Sequence, residues 1–397
     1  EFIDAKQKEE KKAWALIEQG YDGSYNGDAY GSVMYQNENL SVRASDEFMQ
    51  AAVEGKEWWT RATTSGKPLE RKDAAKLLTK IAEGTWTCGD PGMQYDGAIQ
   101  KWHTCKGTEA IHSTNPCSEY VFLNNTACNL ASLNLMKFKR EDGKFDIERY
   151  KAAVRIYITA QEILVDNASY PTKDIAENSH IFRTLGLGYA NLGSLIMSYG
   201  LAYDSDEGRA LAGALTAIMT GHAYEQSAEI SSVIGAFAGY ENSRCAGVAK
   251  PAKKDNIASM LGVIKLHREA VEGIHPSEEF GYLKDEARRC WDRALQRGDE
   301  IIVPAISWST TFYPFQQYGL KLRFVDVELD TLNMDVSQLE AALTPKTRAV
   351  AVVSILGNPA ALDVVRAFCD KHVLIIFEDN CESMGATLNG KPAGTFG

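Results

Sequence analysis

Residues 111–138 read IHSTNPCSEYVFLNNTACNLASLNLMKF. The stretch is dense in Asn, Ser, Thr and Cys and shows no helical period, so it suits loops and short strands that present side chains. Asn115, Cys117 and Glu119 stand at i, i+2 and i+4, and in an extended segment such residues share one face. A thiol has a weak S–H bond and can cycle through a radical. A carboxylate beside it can take a proton from a hydroxyl, and an amide can hold that hydroxyl. Cys128, eleven residues after Cys117, is a second thiol able to deliver reducing equivalents and end in a disulfide. The same residues admit plainer readings. Buried structural cysteine is the common fate of such thiols, and Cys88, His103, Cys105 or Cys117 could in principle hold zinc. No CxxC pair occurs anywhere in the chain, and no metal site is expected.

Working outward, the 397 residues suffice for two or three domains, and 45% hydrophobic content excludes extensive disorder. The net charge of -11 disfavours nucleic acid and anionic membrane as partners. No run approaches the roughly 20 apolar residues of a membrane span, and the charged start, Glu1 to Lys12, is unlike a signal peptide. Eight scattered cysteines, Cys245, Cys290, Cys369 and Cys381 among them, read as thiols of a cytoplasmic protein. Helices are expected over Lys6–Glu18 (stopped by Gly20), from Asp46, and over Arg71–Glu83, Ile147–Asp166, Phe182–Tyr199 and Glu207–Val233. Ala249 to Asp255, with Lys250, Lys253 and Lys254, is expected as a surface loop. The run Gly186 to Gly193 is expected to serve close helix packing rather than dinucleotide binding, with no strand–turn–helix unit around it. After Arg297 four apolar runs, Ile301–Pro304, Leu322–Val327, Ala349–Ile355 and Val373–Phe377, alternate with gaps that can hold helices, as in a parallel α/β sheet. A boundary is expected near Gln296–Gly298. Both ends look cut, so a fragment of a longer protein is expected.

The quoted stretch, with Thr85–Asp96 (TWTCGDPGMQYD), Trp102–Cys105 and Gln36–Met49 (QNENLSVRASDEFM), resembles ribonucleotide reductases. Arg183–Met197 and Cys290–Leu295 fit the same family. Asn-Pro-Cys with the second cysteine eleven residues on is similar to the adenosylcobalamin-dependent class. The oxygen-dependent class usually shows Asn-Leu-Cys and a wider gap, and the glycyl-radical class lacks a counterpart of Glu119. The resemblance implies part of a ten-stranded α/β barrel over residues 1–297. It also implies a thiyl at Cys117 that takes the 3′-hydrogen of a ribonucleotide, Glu119 as base, Asn115 beside the hydroxyl, and Cys128 as one of the reducing pair. The implied product is a deoxyribonucleotide for DNA replication, the cofactor adenosylcobalamin, and the reductant a thioredoxin- or glutaredoxin-type protein; a homodimer is the assembly it allows. The family's partner cysteine, later phosphate-binding turn and C-terminal cysteine pair have no counterpart here, so the chain is expected to be catalytically incomplete.

Residues 298–397 resemble a different family, the pyridoxal-phosphate sugar aminotransferases and dehydratases of the DegT/DnrJ/EryC1 type. Gly298–Ser309 (GDEIIVPAISWS) and Phe377–Ala386 (FEDNCESMGA) carry the likeness. It implies an aminotransferase-like α/β domain, with Trp308 stacking on the cofactor ring and Asp379 holding the pyridinium nitrogen. The phosphate turn and the Schiff-base lysine of that family are not found, so pyridoxal phosphate is not expected to bind. The whole is expected to be an α/β hybrid: a reductase, or else a pyridoxal-phosphate sugar enzyme or a non-catalytic fragment.

Overall fold

A computed structural model of the chain describes residues 1–241, 245, 255–296, 299–317, 320–344 and 346–397. Most of the expected lysine-bearing loop, residues 249–254, and the expected boundary at residues 297–298 lie outside the described residues. The chain divides into two compact units. One comprises Glu1–Cys128, Ser169–Thr184 and Asn242–Val263; the other comprises Asn129–Ala168, Leu185–Glu241 and Ile264–Gly397.

In the first unit, the helix Ala5–Glu18 gives way to Gly20 at φ +95°, a left-handed backbone that glycine adopts without strain. Strand β1 (Ser41–Ala44) leads into the helix Asp46–Val53. The Ser45 hydroxyl caps that helix by accepting from Phe48 N at 3.2 Å, and Asp46 and Glu47 sit in its first turn. A hairpin of β2 (Glu57–Arg61) and β3 (Pro68–Asp73) follows. The helix expected from Arg71 starts at Ala74 and runs on to Cys88. Arg71 to Asp73 pair instead with Trp59 to Glu57, and the Asp73 carboxylate caps the helix by accepting from Lys76 N at 3.0 Å. Strand β4 (Gly92–Tyr95) returns parallel to β1, with Ser41 opposite Gly92 and Ala44 opposite Tyr95. Ala44, Phe48, Ala52 and Ala74 form the small core under this pair.

In the second unit, β5 (Asn129–Asn134) pairs parallel with β6 (Leu185–Ala190). The helix Ile147–Asn167 braces both strands: Gln161 Nε2 donates to Asn129 O at 2.6 Å and to Gly186 O at 2.8 Å. The helix expected over Phe182–Tyr199 is therefore not continuous. Leu185, Leu187 and Tyr189 alternate with Gly186, Gly188 and Ala190, a period of two that suits a strand, and glycine is a poor helix former. Asn191 turns the chain at φ +67°, and a seven-residue helix, Leu192–Ser198, follows. So a strand–turn–helix unit does exist here, contrary to expectation. Close packing is also not what the glycines supply: a Cβ on Gly188 or Gly193 would meet nothing nearer than 3.7 Å. The helices Asp206–Ile234 and Gly281–Gln296 do pack closely, at Gly221, where an added Cβ would lie 3.1 Å from Cys290 Cβ.

The four apolar runs after residue 297 form a wholly parallel sheet: β7 (Glu300–Pro304), β8 (Lys321–Val325), β9 (Thr347–Val353) and β10 (Ile375–Asp379), in the order β10-β9-β7-β8. The central strands are buried on both faces, which is why they read as unbroken apolar runs. Ile302, Val350 and Val352 pack with Leu362, Val365 and Phe368 on one side. Ile301, Val303, Ala349 and Ala351 pack with Phe312 and Phe315 on the other. Among the described residues no helix is long and apolar enough to cross a membrane.

Candidate active site

The loop between the helix Asp96–Lys101 and β5 is irregular but not loose. Arg43 on β1 donates from Nε to Gln94 Oε1 at 3.3 Å, and its Nη1 reaches Ile111 O at 2.5 Å and Asp96 at 3.3 Å. Gln94 on β4 passes the restraint onward, its Nε2 donating to Thr114 Oγ1 and Ser118 Oγ, both at 2.9 Å. The β1–β4 pair thus holds the base of the loop. Farther along, the buried Tyr120 hydroxyl bonds Thr126 Oγ1 at 2.8 Å and Thr184 Oγ1 at 2.9 Å. Phe122 meets His103 and Phe182 edge-on beneath.

Between these anchors the chain turns rather than extends, which corrects the extended reading of residues 115–119. Ser118 N donates to Asn115 O at 3.0 Å, closing a turn over Pro116 and Cys117, and Ser118 itself lies at φ +67°. Proline at the second turn position presets that bend. Tyr120 N then donates to Asn115 Oδ1 at 2.8 Å, and the Asn115 side chain is the largest influence on the Glu119 carboxyl. Asn115 and Glu119 are brought together by this turn, not by strand alternation. Cys117 stands exposed at its tip, and Asn39 Nδ2 donates to its sulfur at 3.4 Å.

The electrostatics suit distinct roles. The bond from Asn115, then the backbone at Glu119, hold the Glu119 carboxyl below its ordinary range, so at neutral pH it is an ionised acceptor. Burial, with the Glu119 charge adding to it, pushes the Cys128 thiol up to about 11. Cys128 is therefore a protonated thiol at neutral pH. None of the eight cysteines is in a disulfide.

The other candidates separate. Cys105 is buried and its thiol pushed up to about 12. The His103 ring bonds Glu109 O through Nε2 at 2.9 Å and accepts Cys105 N at Nδ1 at 3.3 Å. With both nitrogens engaged and burial lowering its pKa, His103 is a neutral structural ring. One grouping escaped sequence reading: His222, Glu225 and Cys290 bring ligand atoms within 4.8 Å of one another. Only tertiary packing joins them, so no spacing signal could have shown it. The Arg293 guanidinium already donates to Glu225 Oε2 at 3.0 Å and to Cys290 Sγ at 3.5 Å, so a cation would meet a fixed positive charge. The cluster is an ion-pair network.

At the carboxyl edge of the C-terminal sheet, Asp379 ends β10 and Trp308 follows β7, the side on which open α/β sheets bind ligands. Asp379 Oδ2 accepts from Thr311 Oγ1 at 2.7 Å, and Oδ1 from Cys381 N at 3.2 Å. Trp308 is 69% exposed and its indole donates to Glu382 at 3.3 Å. Both residues are thus already hydrogen-bonded to protein partners at this edge.

The parallel β1–β4 pair thus braces a turn that carries a cysteine, a carboxylate and an amide. The family model described as "Ribonucleotide reductase, barrel domain" matches residues 1–300, and the chain belongs to that family. A second model, the DegT/DnrJ/EryC1/StrS aminotransferase family, matches residues 292–397. A vitamin B12-dependent ribonucleotide reductase of Rhodopirellula baltica is 52% identical over 305 residues, which are 76% of this chain and 28% of the relative. A GDP-4-keto-6-deoxy-D-mannose 3-dehydratase of Escherichia coli O55:H7 is 55% identical over 103 residues, 26% of each. A crystal structure of GDP-4-keto-6-deoxymannose-3-dehydratase with a trapped PLP-glutamate geminal diamine is 55% identical, covers 25% of this chain and 26% of its own, and has a TM-score of 0.25. The chain spans about a quarter of the length of the curated relatives cited here.

Proposed function

We propose that residues 1–297 carry the radical-bearing segment of an adenosylcobalamin-dependent ribonucleotide reductase, with Cys117 as the hydrogen-transferring thiol. The observation that supports this most is the turn at residues 115–119, which sets an exposed thiol within two residues of an ionised carboxylate and of an amide whose oxygen is held by Tyr120 N. Adenosylcobalamin supplies a radical that takes hydrogen from a thiol. The open sulfur of Cys117 fits that need.

In this reading the Cys117 thiyl takes the 3′-hydrogen of a ribonucleotide. Glu119 accepts the 3′-hydroxyl proton, and Asn115 fixes the carboxylate for that transfer. The 2′-hydroxyl leaves as water. Cys128 and a partner thiol give two electrons and two protons and end as a disulfide, Cys117 returns its hydrogen to C3′ and becomes the thiyl again, and a thioredoxin- or glutaredoxin-type protein reduces the disulfide. The product, a deoxyribonucleotide, serves DNA synthesis in the cytoplasm. We read residues 298–397 as a separate segment of aminotransferase-like ancestry, supported by two family matches that overlap only at 292–300.

The test is Cys117→Ala in a full-length reductase carrying these residues, assayed for deoxynucleotide formation with adenosylcobalamin, dithiothreitol and each ribonucleotide. Turnover should vanish while the fold persists, since an exposed loop side chain tolerates truncation. Retained turnover would refute the assignment.

A further inference from the structure

The turn that presents Cys117 does not itself aim the sulfur. The Asn115 side-chain oxygen is spent on Tyr120 N, and the Ser118 hydroxyl on Gln94 and Thr114. The described side chain that hydrogen-bonds the sulfur comes from seventy-eight residues upstream: Asn39 Nδ2 donates to Cys117 Sγ at 3.4 Å. Asn39 is held in place through its neighbour. Leu40 N donates to Asp90 Oδ2 at 3.3 Å, Gly92 N donates to Leu40 O at 2.7 Å, and Lys6 pairs with Asp90. The β1–β4 register then starts at Ser41 opposite Gly92. One parallel strand pair therefore carries both Asn39, through the start of β1, and the Cys117 turn, through Gln94 on β4.

We propose that Asn39 is a positioning residue for Cys117, its amide holding the sulfur as an acceptor so that the thiol hydrogen points away from Asn39 toward the open side of the turn. The proposal rests on the reading of Cys117 as the hydrogen-transferring thiol and deepens it. The direction of this bond matters because an amide N–H can only donate to sulfur, whereas a carboxylate in the same place can only accept. Asn39→Asp would therefore reverse the bond, drawing the S–H hydrogen onto the carboxylate, and Asn39→Ala would merely delete it. The expected ranking, Asn above Ala above Asp, is the opposite of what a shape-filling role gives, since Asp is nearly isosteric with Asn and Ala is not.

The experiment is alkylation of the full chain by iodoacetamide at mildly alkaline pH, with the rate at each cysteine read by peptide mass. Exposed Cys381, in the other unit, is the internal reference, and buried Cys105 reports the fold. Cys117 should react about threefold more slowly in Asn39→Ala and about tenfold more slowly in Asn39→Asp, the range one net hydrogen bond to the reacting atom allows, with Cys381 unchanged. An unchanged Cys117 rate in Asn39→Ala, or an Asp variant as fast as the Ala variant, overturns the proposal. So does a variant in which Cys105 becomes reactive together with Cys117, because Asn39 would then be holding the fold. Alkylation needs no turnover, so this outcome is separate from that of the reductase assay: the aiming of the sulfur can fail while Cys117→Ala still abolishes reduction, or hold while it does not.

Discussion

Glu286→Gln should remove a distinct share of the acid-pH dependence of the second unit's stability. Glu286 lies on the helix Gly281–Gln296 with 6% of its side chain exposed. It accepts from Lys151 Nζ at 2.8 Å, Arg293 Nη2 at 3.0 Å and Arg289 Nε at 2.8 Å. Burial pushes its carboxyl up, but the bonds from Lys151, Arg293 and Arg289 outweigh that, and its pKa drops from 4.5 to about 2. Such a drop corresponds to about 3 kcal/mol in favour of the folded state while the group is ionised. Because the folded pKa is the depressed one, that stability is complete above the unfolded value of 4.5 and is lost as pH falls toward about 2. The glutamine keeps the shape and removes the charge, leaving three cations less compensated. At neutral pH the variant should unfold with about 3 kcal/mol less free energy. The gap should narrow across the acid window and close at its lower end. Urea denaturation of both proteins at a series of pH values measures it. A gap that stays constant with pH, or is absent at neutrality, would refute the reasoning.

Glu119→Gln in the reductase context should lower the rate constant for reduction more than substrate affinity, since a proton acceptor acts in the transition state; steady-state kinetics showing the reverse would make Glu119 a binding residue. Tyr120→Phe should cost about 1–2 kcal/mol, because it strips a buried hydroxyl from Thr126 and Thr184; an unchanged melting temperature would show that these bonds do not hold the loop. Pyridoxal phosphate added to the chain should give no stoichiometric, borohydride-trapped lysine, because Asp379 is engaged by Thr311 and Trp308 is exposed; one uniquely modified peptide would contradict this.

The reductase kinship and the parallel C-terminal sheet were legible in the sequence. Motif identity and apolar runs are local properties, and strands buried on both faces declare themselves as unbroken Ile, Val and Ala. The chain around Leu185–Ala190 was misread because a short run of leucine, glycine and alanine fits a helix face as well as a strand; pairing with β5 and the Gln161 bonds to both strands decide it. Arg71 was misplaced for a related reason, since the cap that starts the helix is Asp73, selected by the β2–β3 hairpin. The order of residues along the chain by itself specified that Cys117, Glu119 and Asn115 are close neighbours. Only the tertiary structure decided that a turn joins them, that Asn39 reaches the sulfur from the start of a distant strand, and that Arg293 fills the space among His222, Glu225 and Cys290. Those contacts are set by which strands and helices pack together, and sequence spacing carries no information about partners so far apart along the chain.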